Sequence, residues 1–233
     1  MDRRDFLSLT PALVLGGCVS VGGAAGPPAP APALRVGDRW VYNCSDGFRV
    51  PVTWVETHQV VSIDASAIAV RVTLAGPTMN YDRVERWQAP GIVVVGSIYD
   101  DAFNRDFRAP LIRYQFPLTP GASWRQNVQY PDPDNQLVSN VQRYVSVGGY
   151  ETVSTPAGTF NAITMRTIMS VDNNSPFNWP TQCDYLTWWA PDVGAKVRET
   201  KYATYRERGD EQAIAIRAQN TLIELASYSR GVG

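Results

Sequence analysis

The sequence predicts an all-β domain, an antiparallel barrel, half-barrel or sandwich of about ten or more strands. Three observations predict it. Apolar and β-branched residues alternate with polar ones in many short windows, as in Ile68, Val70, Val72 and Leu74, which share one face of a strand. Gly, Pro and Asp-Gly signals separate those windows at regular intervals. No window of about twelve residues carries a capped 3.6-residue period, and no repeat of fixed length is present. Ala213 to Ala226 comes nearest to helical spacing, but Ile214, Ile216, Leu222, Ile223 and Leu225 suit a strand at least as well.

The elements follow in order. Asp38 to Cys44 opens the domain and turns at Asp46-Gly47. Val50 to Ile63 is β-branched and aromatic, with Val52, Trp54, Val60 and Ile63 among its apolar positions. Ala67 to Leu74 pairs naturally with it. Tyr81 to Trp87 and Gly91 to Tyr99 form a hairpin turned at Ala89-Pro90-Gly91. Asp100 to Ala109 reads as a polar loop, Leu111 to Phe116 as a short strand, and Pro117 to Gly121 as a turn. Ser123 to Tyr130 is a strand. Pro131 to Asn135 is a loop, because its prolines cannot sit in a central strand. Leu137 to Val147 is a strand that Gly148-Gly149 is expected to end. The remaining strands are Tyr150–Ser154, Thr159–Val171, Thr181–Ala190, Gly194–Glu207 and Glu211–Ser227, the last hairpin turning at Gly209-Asp210.

Ahead of this domain stands an export signal, residues 1 to 17. Arg3 and Arg4 precede an apolar run from Phe6 to Leu15, too short for the ~20 residues that a bilayer requires. Gly16-Gly17-Cys18 then resembles a lipobox, which makes Cys18 the lipidation site. Arg3-Arg4-Asp5-Phe6-Leu7 resembles a twin-arginine signal, although Asp2 and Asp5 dilute its charge. Val19 after the cysteine, by resemblance to Gram-negative lipoproteins, favours the outer membrane facing the periplasm. Residues 18 to 33 are rich in Gly, Ala and Pro and read as an extended linker of about 3 Å per residue with no packed structure. Residues 34 to 233 form the single β-domain.

The chain carries a net charge of −1, so it has no electrostatic footprint for nucleic acid. Besides Cys18 there are two cysteines, Cys44 and Cys183. In an oxidising compartment they are expected to form a disulfide, closing a loop worth about 4–5 kcal/mol in chain entropy. Two separately buried thiols are the alternative.

Two stretches carry a resemblance. Tyr150-Glu151-Thr152-Val153-Ser154-Thr155-Pro156-Ala157-Gly158-Thr159-Phe160, and Trp188-Trp189-Ala190-Pro191-Asp192-Val193-Gly194, resemble paired motifs of uncharacterised bacterial envelope proteins of the TapB-like kind. The resemblance implies an exported all-β domain with no assigned chemistry. Both stretches read physically as hairpin turns, in which Pro presets φ and Gly takes positive φ.

No catalytic constellation emerges. His58 is the only histidine, so a multi-histidine metal site is excluded by count. Asp132, Asp134 and Asn135, or Asp100, Asp101 and Asp106, lack the spacing of a calcium loop and read as solvated carboxylates. The sequence therefore assigns no catalytic residue, metal or cofactor. Phe177 and Trp179 stand on a loop, either exposed or folded back as a lid, while Trp188 and Trp189 occupy opposite faces of a strand. These four are the ligand-contact candidates. The expected partners are the membrane, through the lipid, and an apolar ligand or an envelope protein. A structural accessory of an envelope complex is the alternative, followed by a glycan hydrolase.

Overall fold

A computed structural model describes residues 23–47, 52–99, 103–132, 137–172, 175–209 and 214–232. The export signal, its arginines and Cys18 lie outside the described residues, as do Asp100, Asp101, Asp134 and Asn135. The described chain is all β. Its twelve strands are β1 (Arg39–Asp46), β2 (Val52–Ile63), β3 (Ile68–Ala75), β4 (Asn80–Ala89), β5 (Ile92–Gly96) and β6 (Arg105–Ile112), then β7 (Ser123–Pro131), β8 (Val138–Thr155), β9 (Gly158–Val171), β10 (Thr181–Ala190), β11 (Ala195–Tyr205) and β12 (Ile216–Ser229).

They form one antiparallel sheet in the order β6-β5-β4-β3-β2-β1-β12-β11-β10-β9-β8-β7. Every neighbour but one is a sequence neighbour, the exception being β1 beside β12, so the chain runs up and down around a nearly closed barrel. The two sheet edges, β6 and β7, are consecutive strands, and side chains rather than a backbone ladder bridge them. Gln126 accepts the Ile112 N–H at 2.9 Å and donates to the Pro110 carbonyl at 2.7 Å. Trp124 Nε1 and Arg143 Nη1 both donate to the Ile112 carbonyl. Pro110, which lacks a ladder donor, is tolerated here because β6 is an edge strand.

Period-2 alternation sets what lies inside. Trp40, Tyr42 and Cys44 of β1 are buried, as are Ile68, Val70, Val72 and Leu74 of β3 on the face that the sequence predicts. Apolar side chains gather in three clusters, one around Trp40, Val72 and Leu225, one around Phe107, Tyr130 and Val141, and one around Leu118, Ile163 and Trp189. The two predicted hairpin turns form as expected, with Gly158 at φ 138° and Gly194 at φ 70°.

Several expectations are corrected. The Asp100 to Ala109 stretch is not all loop, because β6 begins at Arg105 and ends at Ile112, before Phe116. Gly148-Gly149 does not end a strand: β8 runs on to Thr155 through a register shift between Val147 and Tyr150. A bulge absorbs the two glycines, and the missing side chain of Gly149 admits another backbone. A Cβ on Gly149 would lie 2.4 Å from the Gly23 carbonyl carbon.

That backbone belongs to the expected linker, which is packed from residue 24 onward. Ala24 exchanges hydrogen bonds with Tyr150 and Ala29 with Leu118, and Ala29 is 1% exposed. Proline-rich backbone is already extended, so it can lie against another strand wherever a non-proline residue supplies the N–H. The folded unit thus includes ten residues of the predicted stalk, 24 to 33.

Cys44 and Cys183 are both buried, and no disulfide joins them. Cys44 is on β1 and Cys183 on β10, with β12 and β11 between them. Three strand steps of about 4.8 Å separate them by roughly 14 Å along the sheet, twice the Cα separation a disulfide can span. Counting cysteines ignored the strand order.

Candidate functional site

The barrel interior is charged. Inward positions on four strands and one loop carry Glu56 (β2), Arg83 and Glu85 (β4), Arg113 (the β6–β7 loop), Arg143 (β8), and Lys196, Glu199 and Lys201 (β11), all lining one cavity of about 100 Å³. Both lysines of the chain are among them. The cavity touches all three apolar clusters, through Trp40, Leu111 and Trp189 among others.

Two carboxylates organise most of these charges. Glu85 receives Arg83 at 2.5 Å, Arg113 at 3.0 Å and the Trp87 indole N–H at 2.8 Å. Burial alone would raise its pKa, but Arg113 and Arg83 hold the carboxyl well below the usual range. Glu199 receives the Thr187 hydroxyl at 2.9 Å and Lys196 at 2.7 Å, with Lys201 at 4.0 Å. Burial again opposes ionisation, and Lys196 and Lys201 overcome it. Lys196 in turn is held protonated against burial by Glu199 and Glu56.

Glu56 and the lone histidine meet nearby. His58 Nε2 lies 2.5 Å from Glu56 Oε1, and its ring stands edge-on to Tyr42 at 5.5 Å. Burial would raise the Glu56 pKa, but Lys196 and His58 depress it strongly. Glu56 Oε2 has no hydrogen-bond partner.

Arg143 differs from the other interior cations. It is 8% exposed, its Nη1 donates to the Ile112 carbonyl at 2.7 Å, and its Nε has no acceptor. Among the described residues no carboxylate lies within ion-pair distance of it. Burial, then repulsion from Arg113, pushes its pKa down to about 10.

The four aromatic candidates are not brought together. Trp189 points inward and packs at a tilt against Tyr114 at 4.7 Å and Phe116 at 5.2 Å, with its indole N–H unpartnered among the described residues. Trp188 points outward, donates to Glu151 at 2.8 Å and lies beside Arg198. Phe177 and Trp179 are 76% and 56% exposed, so their loop does not fold back as a lid. Backbone bonds fix that loop, from Trp179 N–H to the Arg206 carbonyl and from Arg208 N–H to the Phe177 carbonyl. Arg208 lies 4.8 Å over the Trp179 ring.

The other acids considered from sequence do not gather. Asp106 is exposed on β6, Asp132 is buried near Ser139, and no cluster of three metal-ligating residues occurs among the described residues. The interior charges had a signal that sequence reading missed. Glu56 and His58 share parity with Trp54 and Val60, and Arg83 and Glu85 share parity with Trp87.

No protein-family model matches the chain, and no curated protein matches it. The resemblance to TapB-like proteins therefore stands on its turn motifs alone. Solved structures do match. A candidate lipoprotein from Parabacteroides distasonis ATCC 8503 aligns with a TM-score of 0.58 at 15% identity, over 88% of this chain and 100% of that one. A candidate exported protein with YmcC-like fold from Bacteroides fragilis NCTC 9343 aligns with a TM-score of 0.50 at 14% identity, over 88% of this chain and 100% of that one. At such identities the likeness establishes the fold alone.

Proposed function

We propose that this chain is a lipid-anchored, non-enzymatic protein of the bacterial envelope, tethered through Cys18 to the outer membrane facing the periplasm. In this reading its barrel docks onto a second envelope protein through the loop that carries Phe177 and Trp179. One observation carries the docking: two large aromatics stand exposed on a fixed loop at the end of the barrel opposite the tether. Loops of an up-and-down barrel alternate ends. The N-terminal segment bonds to Leu118 in the β6–β7 loop, and the β9–β10 loop bearing Phe177 is three strands further on. A tether leaving from one end presents the other away from the membrane.

Aromatic and arginine side chains are enriched where proteins bind one another, and their contacts dominate affinity. Arg206 and Arg208 flank Trp179, and on the neighbouring strands Arg217 lies over Tyr202 at 5.7 Å. Among the described residues from 206 to 209, Glu207 is the exposed acid. The complementary partner surface is apolar and acidic. The names of the structural neighbours, a lipoprotein and an exported protein, support the envelope location.

The interior argues against the competing readings. At about 100 Å³ and lined by ion pairs, it does not suit an acyl chain or other apolar ligand, for which sites of about 300–1,000 Å³ are usual. A glycan hydrolase needs one carboxyl group kept protonated near neutral pH. The three interior glutamates are all shifted the other way.

The test is photocrosslinking in intact cells, with a photoreactive residue at position 177 and a control at exposed Val36 near the tether. The expected result is a discrete protein adduct at 177, absent at 36, and lost with Arg206→Glu/Arg208→Glu. Equal adducts at both positions, or insensitivity to charge reversal, would remove the docking role.

A further inference from the structure

We propose that the barrel interior is a binding site for a small carboxylate anion, seated on the free guanidinium edge of Arg143. The site is separate from the docking loop and stands whether or not that loop has a partner.

Three observations point to an anion. Arg143 commits only Nη1, to the Ile112 carbonyl. Its buried Nε has no acceptor among the described residues, and Nε belongs to the Nε–Nη2 edge, the one that receives a carboxylate side-on through two parallel hydrogen bonds. Trp189 Nε1 is a second buried donor without an acceptor on the wall of the same cavity. The charges do not balance either. Among the described residues lining the cavity, Arg83, Arg113, Arg143, Lys196 and Lys201 give five positive groups and Glu56, Glu85 and Glu199 three negative ones, an excess of two with His58 left out of the count. Charges taken out of water without counter-charge are costly, and the network satisfies the others while leaving Arg143 out.

Size and lining narrow the class. About 100 Å³ holds a few water molecules or a short carboxylate, since one water in the liquid occupies about 30 Å³. Met165 and Met169 line the cavity with soft apolar surface that a one- or two-carbon tail would contact. Pro32, Leu34, Pro90, Gly91 and Gly194 line it at the tethered end, where the N-terminal segment crosses the barrel. A ligand enters there by displacing Pro32 and Leu34, not by opening the sheet.

The test uses the full-length chain purified from membranes in a non-ionic detergent. Propionate is titrated by calorimetry, with sodium chloride holding ionic strength constant. The expected result is saturable binding of one propionate per chain. Arg143→Gln should weaken it by more than about tenfold, and Arg143→Lys, a point charge without the fork, by less. Trp189→Phe keeps the ring and removes only the donor, so about three- to tenfold weaker binding is expected. It also serves as the test should Arg143→Gln fail to fold, as judged by its β circular-dichroism spectrum. Absence of saturable binding would overturn the proposal, as would binding that both variants leave unchanged. Equal competition by chloride and nitrate would reduce the site to an adventitious ion only and overturn the carboxylate assignment.

Discussion

Glu199→Gln should be among the most destabilising single substitutions of similar shape in this barrel. The glutamine side chain fits the same space and can still accept the Thr187 hydroxyl, so packing is nearly unchanged. What is lost is the negative charge 2.7 Å from Lys196 and 4.0 Å from Lys201. Removing one member of a buried ion pair costs about 3–5 kcal/mol, because the remaining charge is left uncompensated. Lys196 keeps Glu56 at 4.0 Å, which places the expected loss toward the lower part of that range. For a chain of this length, about 3 kcal/mol lowers the melting temperature by roughly 6–12 °C. Glu224→Gln is the control. Glu224 pairs with Arg198 on the outer face, both side chains being about a quarter to a third exposed, and such pairs contribute about 1 kcal/mol or less. The assay is equilibrium urea unfolding followed by tryptophan fluorescence. A loss below about 1 kcal/mol for Glu199→Gln, equal to the control, would refute the claim that Glu199 holds the interior cations in place. Adding Lys196→Met to Glu199→Gln should recover part of the loss, since the Lys196 ammonium then no longer needs a partner and only Lys201 has lost its carboxylate.

Glu56, Glu85 and Glu199 all have folded-state pKa values below the ordinary 4.5, so the unfolded chain binds protons that the native chain does not. Their contribution is complete above about pH 4.5 and falls as pH drops, by up to about 1.4 kcal/mol per pH unit for each carboxyl. Urea midpoints between pH 6 and 3 should show that decline, and a flat profile would contradict the depressed values. Burial pushes the Cys183 thiol up to about 12, and neither cysteine is bridged. Melting temperature should therefore be the same with and without reductant, and maleimide should label both thiols only after unfolding. Gln126→Ala removes two hydrogen bonds to the edge of β6 and should cost about 1–3 kcal/mol. Hydrogen exchange at Ile112 should accelerate with it.

Local pattern made most strands legible. Val70, Val72 and Leu74 alternate so cleanly that β3 could be drawn from the sequence, and the Pro-Ala-Gly turn before β9 specified its own positive φ. Long-range order was not available in the same way. The strand order that separates Cys44 from Cys183 depends on β1 meeting β12, a contact across nearly the whole chain. Gly148-Gly149 looks like a stop, yet Gly149 is where the Gly23 backbone passes too close for a side chain. The interior charges were legible only in strand parity. Parity alone placed Glu56, Glu85 and Glu199 inside, beside Trp54, Trp87 and Ala203, and parity is the stronger signal where apolar residues fill the same face.

Barrel width gives one physical reason for those charges. Eight strands enclose just enough room for side chains to fill, and diameter grows with strand number. Twelve strands leave a centre that aliphatic side chains cannot reach across, and a void there would forfeit contacts on every wall. Arg and Lys are long enough to span it, and their charged ends require carboxylates opposite them. That accounts for Glu85 between Arg83 and Arg113, and for Glu199 between Lys196 and Lys201. It does not account for Arg143, because a network built only to fill space would balance its charges. Among the described residues the interior instead retains an excess of two positive charges and a guanidinium Nε with no acceptor. Filling explains why the centre is charged, and the imbalance is the part of it that calls for a ligand.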